Sequence, residues 1–364
     1  MRIGIDAKWY FNGHPSGKVV VENLVNHLLE MDLLNDYYIY LDKRDKALEF
    51  PIQRSNVHLV YVPNKINALT NFLILPFYTK KNNLDICLYQ NYSPFWGAKK
   101  IVNYVHDALF MDFPEYFSWV ERMYFRPMKY LSKFADHVIT ISHSEKARMI
   151  AHGFTKKEHI SVVHHGIGLV DSQNNEQDFD KDAFLATYNL PKDFILYLGR
   201  LNVRKNIQNL LKAMPDIQKN TALVIVGKDD HKTLDWNLLI EDLDIADRVI
   251  KVGFVSHSDI GKFYQMAKVF CFPSYAEGFG LPPLEAMYYG TPTVVSNATS
   301  LPEVCEDAAL YVDPNKTTDI VNQVNKLLND DRLYETMVAK GKARAATFSW
   351  KKAAKELLSV LKSV

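Results

Sequence analysis

Short apolar runs recur along this chain, and most are followed by a longer stretch with apolar residues at helical spacing. An unbroken apolar run suits a strand covered on both faces. Its parallel neighbour is reached only through a crossover long enough to hold a helix. Repeated alternation therefore predicts parallel sheets with helices on both sides. In the first half the predicted strands are 2–7, 37–41, 57–62, 84–88, 101–106, 137–141 and 160–164. Predicted helices cover 17–31, part of 66–80, 117–134 and 144–151. A polar stretch at 171–178 breaks the pattern and reads as a linker. Strands then resume at 194–198, 222–226, 249–252, 269–272 and 293–295, with helices between them. Helices at 317–328, 331–346 and 350–361 close the chain. The expected fold class is α/β, with two doubly wound, Rossmann-like domains at 1–170 and 191–346, a linker at 171–190 and a closing helix at 347–364.

Composition narrows the function. A chain of 364 residues accommodates two domains. With 43 basic and 42 acidic side chains, the net charge of +1 argues against nucleic acid as a partner. Cys87, Cys271 and Cys305 are too scattered for a disulfide framework or a zinc site, which fits a reducing compartment. The chain opens directly on a strand, with no signal peptide, and its apolar stretch at 72–78 is short and carries Pro76. A cytoplasmic location is expected.

The run from Pro273 to Met287 carries the chemistry. Glu277 follows a buried strand, and Glu285, eight positions beyond it, lies early in a helix that Gly290 closes. Between them Gly278 and Gly280 let backbone N–H groups approach a ligand. A helix N-terminus at this point favours an anion. Two acids beside an anion-tolerant backbone suit a ligand with both hydroxyls and phosphate, such as a nucleotide sugar. Upstream, Arg200 and Lys205 follow the strand at 194–198, where a departing diphosphate would need fixed cations. Arg204 competes for the same role. No carboxylate cluster with metal spacing accompanies this pair; Asp178–Asp180 and Asp242–Asp244 end no convincing strand, so no metal and no cofactor is expected.

This arrangement resembles the retaining glycosyltransferases of family four, whose signature is two glutamates separated by seven residues. The similarity runs in register through Gly290-Thr291-Pro292 and Ser300-Leu301-Pro302-Glu303, and back to Tyr197-Leu198-Gly199-Arg200. It is strongest over 194–313. The resemblance implies the GT-B architecture: two Rossmann-like domains facing a cleft, with the last helix crossing back onto the first domain. Trp350 and the spacing of Ala354, Leu357, Leu358 and Leu361 suit such docking. It also implies transfer of a hexose-type sugar (mannose, rhamnose or glucose class), with retention, from a nucleotide diphosphate donor to an acceptor hydroxyl. By residue, it implies that Arg200 and Lys205 hold the diphosphate, Glu285 the ribose, and Glu277 the hydroxyls of the transferred sugar. The backbone at Gly278, Phe279 and Gly280 would complete the cradle, and Val252 and Phe254 would border the base. The pair His106-Asp107 matches a motif in which the histidine sits beside the transferred sugar.

Two motifs stay open at this level. Gly13 to Val19 resembles a P-loop but has the wrong spacing and lacks the Ser or Thr. What remains is a glycine loop in which Gly17 either approaches the donor or serves as a plain turn. Residues 117–134 mix Trp119, Tyr124, Phe125 and Tyr130 with Arg122, Arg126, Lys129 and Lys133. Such a helix can face an anionic membrane surface, although a solvated face over a core stripe is the simpler reading. The implied acceptor is a lipid-linked glycan in bacterial surface polysaccharide (lipopolysaccharide-type) synthesis, placing the protein peripherally on the inner face of the plasma membrane; a soluble sugar is the rival acceptor. A nucleotide-sugar epimerase and a non-catalytic nucleotide-sugar-binding subunit are the alternative functions.

Overall fold

The computed structural model describes residues 1–167, 179–228 and 236–364. The chain divides into two compact units, Met1–Gly166 with Ser349–Val364, and Ile167–Phe348. The linker expected at 171–178 lies outside the described residues.

In the first unit seven strands form one parallel sheet: β1 (Arg2–Asp6), β2 (Asp36–Asp42), β3 (Val57–Val62), β4 (Ile86–Gln90), β5 (Lys100–Tyr104), β6 (His137–Thr140) and β7 (Ile160–Val162). Their order is β3-β2-β1-β4-β5-β6-β7, all in parallel register. The order reverses between β1 and β4, the switch point at which doubly wound sheets place ligands. The helix Pro15–Met31 starts with proline near its first position, where a missing N–H costs nothing. Its Val20, Val21, Leu24, Val25, Leu28 and Leu29 are buried on one side. The C-terminal helix Trp350–Ser363, capped by the Ser349 hydroxyl, buries Trp350, Ala353, Ala354, Leu357 and Leu361 and packs against Pro15–Met31. A side chain at position 166 would come within 2.1 Å of the Trp350 backbone nitrogen, so the crossing of the two segments of this unit requires Gly166.

The second unit holds a six-stranded parallel sheet of β8 (Phe194–Leu198), β9 (Ala222–Val226), β10 (Val249–Gly253), β11 (Val269–Phe272), β12 (Thr293–Ser296) and β13 (Ala309–Val312), ordered β10-β9-β8-β11-β12-β13. Its switch point lies between β8 and β11. Both sheets carry the α/β class expected of the chain.

Several elements differ from expectation. Lys181–Tyr188 is a helix, although 171–190 reads as linker: Asp180 caps it and Phe184 buries its ring against Phe263. Strand β13 was not anticipated; it is the edge strand of its sheet, and its middle residues Leu310 and Tyr311 are only partly buried. The stretch 117–134 is not one helix but Trp119–Phe125 and Pro127–Leu131 followed by a 3-10 turn, Ser132–Phe134. Pro127 breaks it, since its ring cannot continue the preceding turn's hydrogen bonding. Residues 66–80 form a short helical turn Asn67–Leu69, a π-turn Thr70–Ile74 and a helix Leu75–Lys81.

Candidate active site

In the second unit the functional side chains converge where β8 and β11 end. Beyond β8 the chain turns at Gly199 (φ +150°), and the Tyr197 hydroxyl donates to the Arg200 carbonyl at 3.0 Å. The Asn202 side chain accepts from the Lys205 N–H and caps the turn Val203–Lys205. Asn206 follows in the left-handed region (φ +58°). Its amide nitrogen donates to the Pro273 and Pro314 carbonyls at 2.9 and 2.7 Å. These bonds tie the basic turn to the loop after β11 and set its direction.

There Lys205 Nζ lies 2.7 Å from Glu277 Oε1, and an Arg204 guanidinium nitrogen 3.2 Å from Glu277 Oε2. Arg204 also donates to the Ala276 carbonyl. The Glu277 N–H donates to Thr299 Oγ1 at 2.8 Å, and Ser300 Oγ donates to the Glu277 and Phe279 carbonyls at 2.9 and 2.7 Å. Glu277 and Lys205 are both buried, whereas Arg200 is exposed. Burial works to raise the Glu277 carboxyl pKa, but the charges of Lys205 and Arg204 outweigh it and hold the group below the usual range. Burial also drives the Lys205 ammonium down, to about 8; Glu277 opposes this, while Arg204 and Arg200 add to it. The two shifts agree once all the groups are counted: Lys205 and Arg204 face the one carboxylate and Arg200 lies near enough to repel Lys205, so the site carries surplus positive charge and is suited to an anion.

Glu285 lies on the helix Leu281–Tyr288 and accepts from the Tyr264 hydroxyl at 2.8 Å. Burial raises its pKa, against the hydrogen bond from Tyr264. Gly280 opens this helix at φ +118°, and a side chain there would stand 2.7 Å from Leu301. The loop therefore takes glycine for both conformation and space. The Phe279 ring is turned into the core against Phe348 (5.9 Å), so only its backbone can serve a ligand. Gly278 is buried in the same loop. Val252 is in β10 and the exposed Phe254 in the loop after it, separated from β11 by β9 and β8.

In the first unit His106 follows β5. Its Nε2 is 2.9 Å from the Gln90 side-chain oxygen, and its N–H donates to the Asn91 side chain at 3.1 Å. Trp9 and Tyr104 flank the ring at 5.5 and 5.1 Å. Burial lowers its pKa to about 4, so the imidazole is neutral near pH 7. Behind it stands a buried network that was not anticipated. Lys8 pairs with Asp6 and donates to Asn71, and Asn71 donates to the second Asp6 oxygen and to the Gln90 carbonyl. Two charged residues flanking the end of the first strand were the sequence signal for it. Gly17 packs under Trp9, with a hypothetical Cβ 3.1 Å from the indole ring. Thr299 and Ser300 were also missed as supports of the Glu277 loop.

Known proteins match this chain in both halves. The model for glycosyl transferases group 1 matches residues 178–344, and that for glycosyltransferase family 4 residues 17–170. The serotype-specific mannosyltransferase WbdA of Escherichia coli is 34% identical over 226 residues, covering 59% of this chain and 27% of that protein. The O-antigen chain mannosyltransferase B of the same organism is 37% identical over 177 residues, covering 46% and 45%. The matches thus span less than half the length of these relatives. Among solved structures, sucrose-phosphate synthase from Thermosynechococcus elongatus superimposes with a TM-score of 0.77 at 21% identity, covering 100% of this chain and 98% of that one. The Anabaena protein HepE, in complex with UDP and glucose, does so at 0.76 and 19%, with both chains covered fully. These structures share the GT-B fold. With the two family models together taking in most of its length, the chain belongs to the group 1, family four glycosyltransferases.

Proposed function

We propose that this protein moves a hexose-type sugar from a nucleoside diphosphate sugar to an acceptor hydroxyl, with retention of configuration and without a metal. The observation that carries the reading is the pairing of Arg204 and Lys205 with Glu277, with Arg200 near Lys205, at the switch point of the second sheet. As the glycosidic bond breaks, negative charge grows on the diphosphate. Fixed cations stabilise that charge more in the transition state than in the bound donor. Arg200 and Lys205 take this role. Arg204 is committed to the Glu277 carboxylate and the Ala276 carbonyl, and it positions Glu277.

Glu277, held ionised, accepts hydrogen bonds from the hydroxyls of the transferred sugar. Glu285 grips the ribose, with Tyr264 orienting its carboxylate. The backbone from Gly278 to Gly280 completes the phosphate cradle, and Val252 and Phe254 border the base. Neutral His106 hydrogen-bonds the sugar as it moves. The names of the E. coli relatives support mannose as the sugar and an O-antigen-type glycan as the acceptor; the reading takes that acceptor as lipid-linked and the protein as peripheral on the inner face of the plasma membrane. An epimerase would release free products with no acceptor; the kinship with mannosyltransferases favours transfer. The test is product analysis by mass spectrometry and NMR after incubation with nucleotide sugars and glycan acceptors. A glycoside with the donor's anomeric configuration supports the reading; an inverted product, or an epimerised sugar without transfer, overturns it.

A further inference from the structure

In the first unit, Ile66, Leu69, Leu73 and Phe77 recur at spacings of three, four and four, and all are about half exposed or more. Helical spacing of this kind normally marks the buried side; here the stripe faces outward. Ring contacts carry it onward. Phe77 meets Trp96 at 4.7 Å, Phe72 meets Phe95 at 5.5 Å, and Phe95 meets Phe134 at 6.1 Å. The segments 66–81 and 119–134 also share a base, because Ala68 of the first and Phe125 of the second pack against the same buried cluster. The result is one continuous apolar surface, of a kind that marks an interaction site.

Its rim is cationic. Lys80 lies over Trp96, and Lys129 and Lys133 over Tyr130, each at about 6 Å. Beside them, Arg122, Arg126, Lys129 and Tyr130 line a cavity of about 260 Å³. Among the described residues, none of these three cations pairs with a carboxylate. The acids nearest in sequence are engaged elsewhere: Glu121 closes a capping box with Ser118, and Asp112 pairs with Arg148 and His152.

We propose that this surface seats the protein on an anionic lipid bilayer, with the stripe of Ile66, Leu69, Leu73 and Phe77 entering the headgroup boundary and the Arg122–Arg126–Lys129 cavity receiving a lipid phosphate. It deepens the lipid-linked acceptor reading and centres the membrane face on 66–77, which composition alone did not single out. Outward aromatic and aliphatic side chains ringed by cations match the apolar interior and anionic surface of a cytoplasmic leaflet. A symmetric second copy would instead set cations against cations.

The experiment is flotation of the full chain with phosphatidylglycerol-containing vesicles and with pure phosphatidylcholine vesicles, at low and high salt, with donor turnover measured separately without lipid. The parent should float with the anionic vesicles at low salt and be released by salt. Leu73→Glu/Phe77→Glu should lose flotation. Arg126→Glu/Lys129→Glu should lower partitioning about thirtyfold or more. Donor turnover and thermal midpoint should stay near those of the parent; if the first pair unfolds the protein, the second decides. No flotation at low salt, equal flotation of the variants, or a dimer abolished by Phe77→Glu would overturn the proposal. Flotation as described without any sugar transfer would sink the glycosyltransferase reading and leave the surface standing.

Discussion

Replacing Lys205 with alanine removes the buried cation 2.7 Å from Glu277. At that separation the gross attraction is roughly 6 kcal/mol at an effective dielectric of about 20. Burial and the neighbouring arginines consume much of it, as the lowered Lys205 pKa shows. The expected stability loss is therefore modest, at most about 3 kcal/mol, because Arg204 still faces Glu277. The catalytic loss should be larger than the pair alone suggests, since Lys205 also meets charge that grows as the donor breaks. A single preorganised charge stabiliser is worth about 3 kcal/mol, on the order of a hundredfold in kcat/KM. Lys205→Arg should rescue poorly, because a planar fork does not replace a point charge.

The pH dependence has a definite sign. An ammonium with its pKa lowered to about 8 loses its charge above that pH, so kcat/KM of the parent should fall along an alkaline limb near pH 8. Bound diphosphate raises the group, so the limb in kcat should lie higher. The same lowering means that unfolded chains hold this proton more tightly. The folded chain therefore favours the neutral form of Lys205 over the charged one, and this contribution makes stability rise as pH climbs from about 8 toward the ordinary lysine value of 10.5. Steady-state kinetics across pH, with thermal unfolding of parent and variants, would check each part. Turnover of Lys205→Ala within about threefold of the parent, or an alkaline limb left unmoved by bound donor, would refute the reasoning.

Two further outcomes follow from the geometry. Glu285→Gln should weaken nucleoside diphosphate binding by calorimetry, whereas Glu277→Gln should retain that binding and lose turnover, because one contact is common to ground and transition states and the other is not. Deleting Trp350 to Val364 uncovers Val21, Leu24 and Leu28, and should lower the melting temperature by at least about 10 °C in calorimetry, since one tryptophan and two leucines leave their buried sites.

The strands were legible because a sheet covered on both faces turns each strand into an unbroken apolar run, as in Val269-Phe270-Cys271-Phe272. The glutamate pair was legible because strand, glycine loop and helix set its spacing locally. The hidden parts depend on distant partners. Whether Arg204 or Lys205 faces Glu277 depends on Asn206, whose left-handed backbone is fixed by carbonyls at 273 and 314; both residues turn out to face it. The network behind His106 joins Asp6, Lys8, Asn71 and Gln90 from three separate segments, and Asn71 sits in a π-turn that a 3.6-residue period does not signal. Lys181–Tyr188 is only eight residues long and follows directly on a polar stretch, and its burial of Phe184 depends on Phe263.

The most direct test of the central claim is release of nucleoside diphosphate from a panel of nucleotide sugars, GDP-mannose among them, with the full chain in excess EDTA and a lipid-linked glycan acceptor. The account predicts acceptor-dependent release from one donor, undiminished by the chelator and lost in Arg200→Ala. No release from any donor, release without transfer to the acceptor, or activity that EDTA abolishes and magnesium or manganese restores would contradict it.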